Sequence, residues 1–506
     1  MNYNYAVTRF EYIYAVTETL QTILMRILFS VMMCLLLASV AYSQENNVAQ
    51  DHLSAEFHSG RREALRQLMP DKSVMVVFAY PVRNFSNDVD YVYHPNPDLY
   101  YFSGYTEPNS MLLIFKEPQK AADGSTYKEL IFVQQRNAGA EQWTGKRLGV
   151  EGARSKLKFS HAFNAAAFKD FPIDFSGFSK IIVESFPKDL NPNIQTGEDV
   201  YALMNQFKTK AGFSGSAADK EKFPSGLYYK FTATLREIKT EEEMALLRKA
   251  VEISCNGQVE VMKAVRPDMS EREIQGLHEF VHKKYGAEEV GYPSIVGAGN
   301  NGCVLHYQEN NDLHVENRMV LMDVGAQYHG YTADVTRTIP ANGKFTPEQK
   351  AIYQLVYDAQ EAAFKLCKDG TNWGELDRVS RDVIVNGLMK LGIAKTREEA
   401  RKYYPHGLGH HIGLDVHDRS NYGAIRKGMV ITIEPGIYIP KDSPCDPKWW
   451  TIAVRIEDDI LIREQDFELL SRNAPRKIED VENTIAEKSA LDNFVLPPLQ
   501  SGKKGF

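Results

Sequence analysis

The chain has 506 residues, 43% hydrophobic and 25% charged, an ordinary balance for a soluble globular protein and too long for one ordinary core. Two domains are therefore the starting expectation, and a net charge of -7 with no long Lys/Arg run excludes a strongly basic nucleic-acid binder.

In chain order, an apolar run from Ile27 to Val40 comes first, preceded by Arg26. It has the length of a signal-peptide core and is short for a membrane span. Ala41-Tyr42-Ser43 supplies a small-x-small cleavage site before Gln44, and Met25 is the expected start. Residues 1–43 thus read as a leader with a signal peptide. No stable membrane span is expected after its removal, and the product is exported, periplasmic or secreted. Cys34 leaves with the leader. Cys255, Cys303, Cys367 and Cys445 remain, with no CxxC pair, so neither a zinc ribbon nor a disulfide scaffold is indicated. One disulfide stays open in an oxidising compartment.

Residues 44–58 are polar. Arg61 to Met69 has helical spacing, and short apolar runs at 73–79, 111–115, 130–133 and 180–183 predict buried strands. Alternating strands and helices over 55–225 indicate a smaller α/β N-terminal domain with no gathered ligand set. A boundary is expected near 222–239. Capping boxes at Thr240/Glu243, Ser270/Glu273 and Thr346/Gln349 open three helices, and a fourth runs over 373–391. Strands are predicted at 320–324, 335–339, 430–433 and 454–462. Residues 235–470 therefore read as an α+β domain, with two helix-helix-strand halves conceivable, followed by a tail over 471–506.

Chemistry concentrates in that domain. Asp323 and Asp334 flank a Gly-containing stretch that a hairpin would fold back on itself. His410 lies in His406-Gly407-Leu408-Gly409-His410-His411-Ile412-Gly413, Glu434 ends a strand, and Glu457 follows Arg455-Ile456. A carboxylate inside an apolar strand is costly unless it is paired or bound to a cation. Four carboxylates and one imidazole make a hard donor set suited to divalent cations, manganese rather than a thiolate-type zinc site. Taken singly, each such residue is more often a turn cap or an ion-pair partner. Their combination points to a two-metal hydrolase.

This combination resembles the pita-bread metallopeptidase family of methionine aminopeptidases, prolidases and Xaa-Pro aminopeptidases. The proline-specific branch is marked by His406-Gly407, His410 and Gly413-Leu414-Asp415-Val416-His417-Asp418. Gly302 to Tyr307, Glu434-Pro435-Gly436-Ile437-Tyr438 and Arg455-Ile456-Glu457-Asp458 follow in the family's order. Tyr100 to Pro108 and Trp143 to Gly149 are similar to the N-terminal domain of Xaa-Pro aminopeptidases, which methionine aminopeptidases lack. The resemblance implies a pita-bread catalytic domain and two divalent ions, Mn2+ with Co2+ or Zn2+ as alternatives. It implies Asp323, Asp334, His410, Glu434 and Glu457 as ligands, with Asp334 and Glu457 bridging. Glu434 would also pass a proton, His306, His406 and His417 would face substrate, and Arg455 would orient neighbouring carboxylates or contact substrate. The implied substrates are peptides with proline at the second position. No nucleic acid is implied, and the chain would form a homo-oligomer, dimer or tetramer. Prolidase, acting on Xaa-Pro dipeptides, is the alternative. Thr451-Ile452-Ala453-Val454, where glycines are expected, and the stretch from Pro444 to Trp450 depart from the family's pattern.

Overall fold

The computed structural model describes residues 24–33, 51–121, 123–187, 199–217 and 219–492. The leader's Cys34 and its 41–43 cleavage site lie outside them, as do Pro497, Pro498 and the Lys503-Lys504 pair of the tail. Residues 24–33 are helical, and among the described residues no helix is long and apolar enough to cross a membrane.

From Leu53 onward the N-terminal part centres on a five-stranded mixed sheet, in the order Ala162–Asn164, Thr126–Val133, Met111–Lys120, Ser73–Phe78, Lys180–Val183. Its central pairs are antiparallel and its outer pairs parallel. Val74 to Val77 are all buried, as their uninterrupted apolar run requires. The first helix begins earlier than its periodicity indicates, at Ala55–Leu68, because Ser54 accepts a hydrogen bond from the Phe57 amide and caps it. The stretch read as a boundary folds largely as the helix Ser225–Arg236, whose Tyr228, Phe231 and Arg236 are buried.

The second part holds two helix pairs, Glu241–Ala264 with Glu271–Lys284 and Pro347–Phe364 with Trp373–Lys390. All three capping boxes are formed, each with its side-chain and backbone bonds in place. After the first pair come the antiparallel strands Met319–Val324 and Val335–Pro340, and after the second Val430–Ile433 and Asp458–Ile462. The two helix-helix-strand halves are thus present. The run read as one strand over 454–462 is broken. Ile452–Arg455 pairs with Gly436–Ile439, Asp458–Ile462 pairs with Val430–Ile433, and Ile456 and Glu457 lie between. The break lets successive residues join two different sheets. Cys255, Cys303, Cys367 and Cys445 are free thiols.

Candidate metal centre

The hairpin places its two aspartates first. Asp323 stands opposite Thr336 in the ladder, and Asp334 immediately precedes the returning strand. The turn closes tightly: a Cβ on Gly325 would meet the Ala333 carbonyl oxygen at 1.8 Å, so only glycine fits. His410 is held alongside the strand Val430–Ile433. The Thr432 amide donates to the His410 carbonyl at 2.8 Å, and Thr432 Oγ1 accepts from the His410 amide at 3.1 Å. A Cβ on Gly409 would lie 2.1 Å from the Thr432 carbonyl oxygen, which explains the glycine before the histidine. Glu434 follows that strand and Glu457 occupies the break described above.

These residues line one cleft of about 210 Å³ with His306, His406, His417 and Arg455, so every site residue read from the sequence is in its wall. One oxygen each of Asp334 and Glu457 and one nitrogen of His410 lie within 4.8 Å of one another. His410 Nε2 is 3.4 Å from Asp334 Oδ2, 3.8 Å from Glu434 Oε1 and 3.9 Å from Glu457 Oε1. Its Nδ1 lies 3.1 Å from the His411 carbonyl and donates to it, which leaves the Nε2 lone pair facing the carboxylates. His411 stacks on Trp373 instead of entering the cleft, so of the adjacent pair His410 is the candidate ligand.

Residues that had no assigned role complete the site. The Tyr292 hydroxyl lies 2.6 Å from Asp323 Oδ1 and 2.5 Å from Asp334 Oδ1, one proton serving two carboxylates. Thr336 donates to Glu457 Oε2 at 2.7 Å. Asp459 accepts from the Asp334 amide at 3.0 Å. Arg455 pairs with Asp323 and donates to the Tyr438 hydroxyl at 2.9 Å. The Tyr438 hydroxyl in turn meets His406 Nε2 at 2.8 Å, while His406 Nδ1 meets the Gly407 carbonyl at 2.8 Å. Both ring nitrogens of His406 are thus engaged within the chain. Tyr292 stands in no recognisable pattern. Tyr438 lies in the Glu434 motif, and its proximity to that carboxylate was the signal available.

The electrostatics explain why cations fit. Burial works against the charged form of Asp323, but Arg455 and the Tyr292 hydroxyl outweigh it and hold the carboxyl below the usual range. Asp334 is pushed well above that range by burial and by the charges of Asp323 and Asp459. Burial and the carboxylates of Asp334, Glu434 and Asp323 do the same to Glu457. Burial also raises Glu434, against the pull of His410 and Arg455. Glu457 Oε1 is buried with no hydrogen-bond partner. An orphaned carboxylate oxygen beside other carboxylates and a free imidazole lone pair is what a divalent cation would satisfy.

Comparison with known proteins identifies the family. Residues 245–464 match the model of metallopeptidase family M24, and residues 58–176 that of the aminopeptidase P N-terminal domain. The chain is 34% identical to the Xaa-Pro aminopeptidase of Escherichia coli (strain K12), over 85% of this chain and 97% of that protein. It is 31% identical to Xaa-Pro aminopeptidase 3 of Mus musculus, over 90% of this chain and 87% of that one. Aminopeptidase PepP of Pseudomonas aeruginosa superposes with a TM-score of 0.75 at 30% identity, covering 86% of this chain and 98% of that one.

Proposed function

The chain belongs to the Xaa-Pro aminopeptidases of metallopeptidase family M24, a pita-bread catalytic domain behind an aminopeptidase P N-terminal domain, and from that premise we propose how its residues divide the work. The enzyme is a metalloaminopeptidase that hydrolyses the bond between an N-terminal residue and a following proline. The observation that carries the site assignment is the convergence of Asp334, His410 and Glu457 within 4.8 Å, with Asp323 joined to Asp334 through Tyr292.

Asp323, Asp334, His410, Glu434 and Glu457 are the residues that would hold two divalent ions. The chemistry supplied there by two such cations is a water of lowered pKa and a polarised peptide carbonyl. Glu434 carries the proton from the attacking water to the leaving proline nitrogen. His306 and His417 hydrogen-bond the substrate from the open side of the cleft. Arg455 keeps Asp323 charged and holds the Tyr438 hydroxyl against His406. The oxygen-rich donor set supports manganese as the native metal, with cobalt or zinc as substitutes.

Domain limits of 55–225 and 235–470, with a leader over 1–43 and a tail over 471–506, belong to the same reading. So does export to the periplasm or medium, which the apolar run after Arg26 supports. A homo-oligomer, dimer or tetramer, belongs to the same reading.

The test uses metal-stripped mature protein beginning at Gln44. Manganese is restored and release of the first residue from an Xaa-Pro-Pro peptide is followed. Metal-dependent release is expected. No release from that peptide, with an Xaa-Pro dipeptide still cleaved, would move the assignment to prolidase.

A further inference from the structure

Asp323, Asp334, Glu434 and Glu457 stand on strands or at their ends, where ladders hold the backbone, and His410 is bonded through its own backbone to Thr432 of one such strand. His306 lies on no strand. Between the strands Ile295–Ala298 and Met319–Val324 the only regular structure is the single turn Asn301–Cys303, yet His306 must be aimed into the cleft. Its aim depends on whatever holds that loop.

One buried carboxylate does. Glu271, the first residue of the helix Glu271–Lys284, is 0% exposed, although glutamate is rarely buried without partners. Its Oε1 accepts from the Ala298 amide at 2.7 Å and from Asn301 Nδ2 at 3.0 Å. Its Oε2 accepts from the Tyr307 hydroxyl and from the Asp312 amide, each at 2.9 Å. Its own amide donates to the Asp312 carbonyl at 3.1 Å. The donors lie on both sides of His306 in the chain, and Tyr307 is its immediate neighbour. Tyr307 tightens the clasp further, since its hydroxyl accepts from Asn301 Nδ2 at 2.9 Å. Asn310 ties the same loop to the same helix, donating to Gln275 Oε1 at 2.9 Å while accepting from the Val296 amide at 3.0 Å.

The helix itself has no need of this carboxylate. Ser270 caps it and Glu273 closes the capping box. Apart from the Ala298 amide, at the strand end where the loop begins, every donor that Glu271 receives comes from the loop that carries His306. We propose that Glu271 is a positioning residue for the hydrolysis: it acts through His306, by clamping residues 298–312 so that the imidazole stands in the substrate cleft. This rests on the reading of His306 as a substrate-side histidine.

The test is a double-mutant cycle in the full mature enzyme loaded with manganese. Glu271→Gln keeps the shape but turns an amide NH2 toward groups that themselves donate. Turnover of an Xaa-Pro-Pro peptide and bound manganese are measured for Glu271→Gln, His306→Ala and the double variant. Glu271→Gln is expected to lose about 10- to 100-fold in kcat/KM, the order that a displacement of about 1 Å costs. Its manganese content stays at the wild-type level. The double variant is expected to be no worse than His306→Ala, because a clamp has nothing left to aim. Wild-type turnover by Glu271→Gln, or losses that multiply in the double variant, would overturn the proposal while leaving His306 in place. Wild-type turnover by His306→Ala would overturn the premise and the proposal together. Should Glu271→Gln fail to fold, Tyr307→Phe removes one donor to Oε2 and keeps the ring. It is expected to give a smaller loss with the same non-additivity, and a loss that multiplies with that of His306→Ala would equally overturn the clamp.

Discussion

Replacing Arg236 by Met should destabilise the enzyme by about 3 kcal/mol. Arg236 ends the helix Ser225–Arg236 and is 1% exposed. It donates to Asp98 Oδ1 at 2.8 Å and to Asp415 Oδ2 at 2.6 Å, and it pairs with Asp418. Asp98 and Asp418 are themselves buried. Methionine keeps the apolar stem but leaves two buried carboxylates each short of a cation. Breaking a buried pair in this way costs about 3–5 kcal/mol. The loss falls at the lower end because each carboxylate retains a partner: Lys239 Nζ donates to Asp418 at 2.8 Å, and Arg419 lies 3.3 Å from Asp98. Urea unfolding of the metal-loaded mature protein, followed by tryptophan fluorescence, measures the shift in midpoint. Adding Asp98→Asn to the Arg236→Met variant removes one of the stranded charges. The double variant should therefore lose at least about 1 kcal/mol less than the sum of the single losses. A loss under about 1 kcal/mol for Arg236→Met, or strict additivity with Asp98→Asn, would refute the reasoning by showing that water screens these charges.

Glu457→Ala should abolish turnover and lower manganese content together, since a proposed ligand carboxylate is lost; elemental analysis beside a peptide assay checks both, and wild-type activity would rule out the ligand set. His417→Ala should bind manganese normally and turn over more slowly, because His417 is proposed to contact substrate and not metal, although its ring packs 4.4 Å from that of His410, centroid to centroid. Stability should fall as pH drops from about 6.5 toward about 4. Burial lowers His58 and His282 to about 4, so the folded state resists protons that the unfolded chain accepts. Their contribution is complete above the unfolded value of 6.5 and is lost as pH falls through the folded one, about 3 kcal/mol for each. Urea midpoints across that range should decline, and a His58→Gln variant should show a shallower decline.

The residues that carry the chemistry were legible because each breaks a local rule. Asp323 interrupts a strand whose other residues are apolar, Glu434 follows a wholly buried strand, and His410 follows Gly409, whose close approach to the Thr432 carbonyl only glycine allows. The capping boxes were legible for a similar reason: their partners are three residues apart. What escaped is long-range. Tyr292 reaches Asp334 across 42 residues, and Arg236 reaches Asp418 across 182. No periodicity registers such pairings. The break at Ile456 and Glu457 also escaped, since Ile452 to Ile462 is buried nearly throughout and apolar residues flank the break on both sides. The helix Ser225–Arg236 resembles a linker in sequence because Pro224, Ser225 and Gly226 open it, although its apolar residues do recur at helical spacing.

The two classes of site residue are supported by different means, and the difference bears on function. Asp323, Asp334, Glu434 and Glu457 inherit their positions from paired strands, and His410, on an irregular segment, is bonded through its backbone to Thr432 of one of them. The substrate-side histidines stand on irregular segments and depend on buried polar anchors: Glu271 behind His306, Asp418 with Arg236 and Lys239 beside His417, and the Arg455–Tyr438 chain against His406. Each anchor except Arg455, which also touches Asp323, can be weakened without touching a ligand carboxylate. Changes at the anchors are therefore where substrate handling can alter while the metal centre stays intact. Because Arg236 also bonds Asp98 of the N-terminal part, the anchor beside His417 ties the loop of that histidine to the N-terminal part itself. The proposed substrate-side histidines are in this way coupled to the body of the fold through charge, while the ligand candidates are coupled to it through backbone hydrogen bonds.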